Sequence, residues 1–172
     1  FYGDVVVNNA SAGNIDATGG DVAIGVHTAS FEGDTTVNNA GVIHAGDSGM
    51  AIGVLLEGVY GTNTLNNLGT GIISASGDEG YAFAVMGSDA VEIISNRGRI
   101  LGALSLYGGN DVFNNYGPNG VWDVGANVST DFGDGDDVVN NGGLVSFNGG
   151  AIAMGPATTR NAFNNSGTIR SF

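Results

Sequence analysis

Acidic side chains supply most of the ionisable chemistry in this sequence: 17 Asp and Glu stand against 4 Lys and Arg in 172 residues. The densest run is FGDGDDVVN at residues 132–140. It matches the calcium-binding nonapeptide GGxGxDxUx from Gly133 onward but lacks its first Gly, and GNDVF at residues 109–113 matches only the second half. Asp111 and Asp137 lie 26 residues apart. A calcium roll needs tandem nine-residue copies, so that spacing argues against one.

A different arrangement would still bring acids together. Glu92, Asp111 and Asp137 each fall three positions before a recurring Asn pair or its degenerate Ser-Asn copy. If the repeats stack in register, these carboxylates lie about 4.8 Å apart. Like charges that close repel, and the relief is a cation, a raised pKa or splaying into water. Glu92, Asp111, Asp134, Asp136 and Asp137 are therefore the set that would hold calcium. The simpler expectation is a solvated acidic corner that holds none.

Catalysis finds less support. Polysaccharide cleavage needs clustered carboxyls, one of them with a raised pKa, in a cleft. The chain has acids but no Lys, and Arg97 and Arg99 would share one short strand, near Glu92 at most. His27 and His44 sit in unrelated units without an evident triad or metal set. The expectation is no catalytic residue and no bound cofactor. Tyr60, Tyr81, Tyr107, Tyr116 and Trp122 would either form a stacking platform for sugar or protein or cover the core. The net charge of −13 disfavours nucleic acid and anionic membranes as partners. No apolar run is long enough to insert in a membrane, and Cys is absent.

These residues hang on two interleaved repeats. One reads VNNASAGNI, VNNAGVI, LNNLGTGI, ISNRGRI, FNNYGPNGV, VNNGGLV and FNNSGTI. Its first Asn falls at Asn8, Asn38, Asn66, Ser95, Asn114, Asn140 and Asn164, spaced 30, 28, 29, 19, 26 and 24 residues apart. The other reads VAIGV, MAIGV, YAFAV, GALSL, ANVST and GAIAM. Its alternation of small and large residues has the period of a strand. It would place Ile24, Val26, Ile52, Val54, Phe83, Val85, Leu104, Leu106, Val128, Ile152 and Met154 inward. Ala23, Gly25, Ala51, Gly53, Ala82, Ala84, Ala151 and Ala153 would then form a smooth outer wall. With 32 Gly, no Lys and only 4 Arg and 4 Glu, the composition argues against helical repeats and for strands with many corners.

One unit cannot bury its apolar side alone, but stacked units can. The fold expected is all-β: a right-handed parallel β-helix (β-solenoid) of about seven coils, 19–30 residues each, forming one domain over residues 1–172. Asn suits the corners because it tolerates left-handed backbone and its amides bond one another when stacked. Asn8, Asn38, Asn66, Asn114, Asn140 and Asn164 would form a structural ladder. No polar capping unit is visible at either end, so the expectation is a segment of a longer array.

The units FNNSGTI, VNNAGVI, GGNDVFNN and GDGDDVVNN resemble the passenger-domain repeats of autotransporters, type V secreted proteins of Gram-negative bacteria. The resemblance implies a right-handed β-helix displayed outside the cell, at the outer surface, acting in adhesion, auto-aggregation or biofilm. Its partner would be a protein or glycan on a host or neighbouring cell. Two other readings stand beside this one. The first is self-association through the coil ends into filaments or a surface layer. The second is a polysaccharide-processing enzyme.

Overall fold

Each repeat unit folds into one coil of three short strands. The computed structural model describes residues 2–46, 49–77, 81–125 and 128–172. The first coil holds β1 (Val5–Asn9), β2 (Asn14–Thr18) and β3 (Val22–Ser30). The second holds β4 (Thr35–Asn39), β5 (Val42–Gly46) and β6 (Met50–Gly58), and the third β7 (Thr62–Asn67), β8 (Ile72–Ser76) and β9 (Ala82–Met86). Next come β10 (Val91–Asn96), β11 (Arg99–Leu101) and β12 (Ala103–Ser105), then β13 (Val112–Asn115), β14 (Val121–Asp123) and β15 (Thr130–Asp131). The sixth coil has β16 (Val138–Asn141), β17 (Leu144–Phe147) and β18 (Ile152–Ala153), and β19 (Ala162–Asn165) and β20 (Thr168–Ser171) begin a seventh.

Every strand pairs in parallel with its equivalents in the neighbouring coils. The first strands make one seven-stranded sheet, the second strands another, and the third strands a six-stranded sheet. The chain is thus a β-solenoid of six complete coils and two strands of a seventh, close to the number expected. Among the described residues there is no helix.

The core follows from alternation on each strand. The apolar residue before each Asn pair points inward: Val37, Leu65, Ile94, Phe113 and Val139 are fully buried. The second sheet contributes Ile43, Ile73, Ile100, Trp122 and Val145, equally buried. Trp122 takes a position that Ile holds in five other coils, and its ring lies 4.7 Å from that of Phe113. Burial of these columns is the main stabilising term, at about 25 cal/mol per Å² of apolar surface.

The third sheet departs from the expected pattern. Val26, Val54, Val85, Leu104 and Leu106 join the main core, with Ile152 and Met154 packed against it. Ile24, Ile52 and Phe83 do not: they form a separate cluster with Leu55, Met86 and Met50. Ala23 and Ala51 instead face inward against Ala45, and Ala84 is part of the main core. The strand turns a corner at its middle glycine, which resets the alternation. A Cβ on Gly25 would lie 2.6 Å from the Gly53 carbonyl and 2.8 Å from the Ile43 side chain. In the first three coils Ala23, Gly25, Ala51, Gly53 and Ala84 are therefore spacers at an inner corner, whereas Ala151 and Ala153 in the sixth coil face outward as expected. The expected strand from Ala126 lies partly outside the described residues, as does the longer loop that the sequence suggests over residues 76–80, at 78–80.

The Asn pairs form two ladders, not one. The first Asn of each pair makes an outer row: Asn38 donates to Asn8, Asn66 to Asn38, Asn140 to Asn114 and Asn164 to Asn140, all at 2.9 Å. Ser95 interrupts it. The second Asn makes an unbroken inner row through Asn9, Asn39, Asn67, Asn96, Asn115, Asn141 and Asn165, with links of 2.7–2.9 Å. Each inner amide also donates to the carbonyl that opens the second strand of the next coil, as Asn96 does to Val121 and Asn115 to Leu144. No Asn adopts a left-handed backbone, since Tyr107 is the one non-glycine with positive φ among the described residues. The amide group, rather than backbone tolerance, is what the position requires.

Asn115→Ser should therefore strip the buried Asn96 amide of one acceptor and remove the bonds from Asn115 to Asn141 and Leu144, at about 1–3 kcal/mol in all. Asn114→Ser reproduces the substitution already present at Ser95 and should stay within about 0.5 kcal/mol. Urea unfolding of both variants checks this, and equal losses would refute the division of labour between the rows.

Candidate functional site

The expected stacking of acids is present, but inside the solenoid. On the first sheet the inward position three before the Asn pair carries Thr35, Asn63, Glu92, Asp111, Asp137 and Asn161 in successive coils, in line with the strand registers. Glu92, Asp111 and Asp137 are fully buried. The solvated acidic corner is thus corrected. An inward residue at i−3 shares its face with the buried apolar residue at i−1 and the inner Asn at i+1, so it has no route to water.

Each acid has a defined structural duty. Asp111 Oδ1 accepts the Glu92 backbone N–H at 2.8 Å, and Asp137 Oδ1 accepts that of Asp111 at 3.0 Å. Asn161 Oδ1 does the same for Asp137 at 2.7 Å. Glu92 reaches the other way and accepts from Asn63 Nδ2 at 2.5 Å and from Ser88 Oγ at 3.1 Å. The second oxygens, Glu92 Oε2, Asp111 Oδ2 and Asp137 Oδ2, are buried with no hydrogen-bond partner.

Burial penalises the charged form, and the proton affinities respond. Loss of solvent pushes the Glu92 carboxyl up to about 7, with the Asp89 charge adding and the bonds from Asn63 and Ser88 opposing. Asp111 is pushed up to about 8 by burial first, with the Glu92 backbone bond opposing and the charges of Glu92 and Asp137 adding. Asp137 is raised by burial, and by Asp136 and Asp131 nearby. No Arg ion pair compensates them among the described residues.

Asp134 and Asp136 stand apart from this column. Both are exposed, and Asp136 Oδ1 accepts the Arg160 backbone N–H at 2.8 Å. Among the described residues no three acids or histidines are placed to share a metal ion. Arg97 and Arg99 face outward while Glu92 faces inward, and Arg97 lies over the Tyr116 ring at 4.2 Å. The two arginines are thus both on the outside, Arg97 in the turn before β11 and Arg99 at its start, and neither faces the Glu92 carboxyl.

Two outer arrangements escaped the sequence. Asp16, His44 and Ser74 stand in register on the second sheet, with His44 Nδ1 2.9 Å from Ser74 Oγ. No hydrogen bond joins Asp16 to the ring, whose Nε2 faces Ser76 Oγ at 3.5 Å. A triad would need the carboxylate on the nitrogen opposite the serine. The other is aromatic. Tyr2 and Phe31 pack edge to face at 5.9 Å, and Phe31 and Tyr60 at 5.1 Å, on three successive coils. Phe31 is 43% exposed and Tyr60 75%. Of the five aromatics singled out from sequence, Trp122 is core and the rest are exposed at separate places. The residues that complete the cluster, Tyr2 and Phe31, lie one and two positions before Gly3-Asp4 and Gly33-Asp34, and no shared spacing marks them in the sequence.

Comparison with protein-family models, curated proteins and solved structures returns no match.

The buried acids fix a pH dependence. Each binds its proton more tightly in the folded chain than in the unfolded one, so folding takes up protons. The stabilisation is full below about pH 4, where free Asp and Glu titrate, and is lost as pH rises through about 7 for Glu92 and about 8 for Asp111. The melting temperature should fall by roughly 5–10 °C between about pH 5 and 8.5. Asp111→Asn, which copies Asn161, should flatten the slope above about pH 6, where ordinary carboxyls have already ionised. An unaltered slope in the variant would show that Asp111 does not carry the proton.

Proposed function

We propose that this chain is a non-enzymatic β-solenoid displayed outside a Gram-negative cell, acting in adhesion or auto-aggregation through its outer surface. The carrying observation is the contiguous aromatic cluster Tyr2–Phe31–Tyr60 on the outside of three coils. Single exposed aromatics are ordinary. Three in a chain of contacts across successive coils, with Phe31 touching both tyrosines, form a patch, and contiguous apolar patches mark interaction sites. The carboxyls with raised proton affinity, the ones chemistry would recruit, are sealed inside and out of reach of a substrate.

The labelled chain should bind cells or extracellular matrix saturably while remaining monodisperse in sedimentation velocity. A Phe31→Ala, Tyr60→Ala double variant should lose about fivefold or more in affinity, the scale of one to two kcal/mol at an aromatic hot spot, with its melting curve retained. Head-to-tail polymers formed without any target would favour assembly through the coil ends instead. Release of reducing sugar ends from polysaccharide would overturn the non-enzymatic reading.

A further inference from the structure

Beside the aromatic cluster runs an open groove of about 460 Å³, lined by Ala29, Ser30, Phe31, Glu57, Gly58, Val59, Ser88 and Asp89. Its walls differ in chemistry. Phe31 and Val59 supply apolar surface, with Tyr60 packed on Phe31. Glu57 and Asp89 supply carboxylates from adjacent coils. Ser30 turns its hydroxyl to the Gly3 carbonyl, and Ser88 Oγ, whose one hydrogen is shared between Glu92 and the Gly58 carbonyl 2.9 Å away, stiffens the floor beside it.

We infer that this groove receives an Arg or Lys side chain of a partner protein. The inference rests on the outer surface being a binding face, and it names the partner's chemistry. Charge complementarity carries it. Both ionisable groups in the lining are acids, on a chain of net charge −13. No Arg of this chain lines the groove. Asp89 makes no hydrogen bond or ion pair among the described residues, and Glu57 is held by His27 at 2.6 Å through one oxygen, on the exposed side. An aromatic ring flanked by carboxylates attracts a cation twice, through the ring face and through the charges. The chain already pairs a guanidinium with a ring in this way at Arg97 and Tyr116. The volume falls within the ordinary range for a side chain or small ligand, and the long aliphatic stem of Arg or Lys would cover Val59 and Phe31 while its head meets the acids.

General attraction to a strongly acidic protein must be separated from the groove. The probe is an octapeptide with two Arg in an otherwise neutral sequence, with a two-Gln counterpart and a neutral glucose hexasaccharide as comparators. Binding to the full chain is measured by calorimetry at two salt concentrations. The Arg peptide should bind, the Gln peptide should not, and Glu57→Gln with Asp89→Asn should weaken binding about tenfold, near 1.4 kcal/mol. Asp16→Asn with Asp21→Asn removes the same charge from other exposed sites and should change affinity less than about twofold if the site is specific. Equal loss in both double variants would overturn the groove in favour of diffuse charge. Binding of the hexasaccharide alone would overturn the cationic partner and leave the binding face standing. Failure of every probe, with cell binding retained, would also overturn this inference while sparing the adhesive reading.

Discussion

Parallel stacking at a single rise constrains everything in this molecule. Whatever one coil turns inward, the next coil meets at the same place about 4.8 Å away. An apolar residue then meets an apolar residue, and a polar one must find its partner in the coil above or below. The inner Asn row answers this fully. Each amide donates one hydrogen to the next Asn and the other to the carbonyl of the residue that opens the second strand of the neighbouring coil. The outer row donates toward the N-terminal coils and the inner row toward the C-terminal coils. The two rows of amide dipoles therefore oppose each other, and the stack accumulates little net field from them.

The acidic column shows what the same constraint does to charge. At one inward position the chain uses Thr35, Asn63 and Asn161 in some coils and Glu92, Asp111 and Asp137 in others. Asn161 caps a backbone N–H just as Asp111 and Asp137 do. The capping duty thus needs only a side-chain oxygen, and a neutral amide supplies it. What the acids add is a second oxygen without a partner and a proton that the dry interior holds tightly. Neighbouring carboxylates on one column cannot all be ionised without a cation, so neutralisation by protons follows from position alone.

Much of this was legible in the sequence, because repetition reveals what each coil must share. The Asn pairs marked the coil period, and the residue before each pair marked the core. The sequence also placed Glu92, Asp111 and Asp137 in one line. It did not reveal which side of the wall they face. Asn–Asn offers two adjacent amides, one inward and one outward, and polarity alone suggests that both turn to water. The parity of the strand decides otherwise: Asn96 shares its face with Ile94, and Glu92 shares it with both. Counting back by twos from the buried apolar residue would have placed the acids inside. The third strand failed for the opposite reason. Gly25 and Gly53 interrupt the alternation at a corner, so a strict period of two assigned Ile24 and Ile52 to the wrong side.

Inside and outside therefore answer to different pressures. An inward substitution disturbs two neighbouring coils at once, through core contacts or through a hydrogen-bonded row. An outward one meets solvent on one side and is limited mainly by backbone pairing, which does not depend on the side chain. The outer corner between the third and first sheets accordingly carries Tyr2, Phe31 and Tyr60 on three coils and then Asp89 on the next, with no cost to the strands beneath. A scaffold of this kind separates stability from recognition: the repeated inner columns hold the stack, and the corners are free to differ. That separation is why the aromatic and acidic groups beside the groove are better read as a surface for contact than as a requirement of the fold.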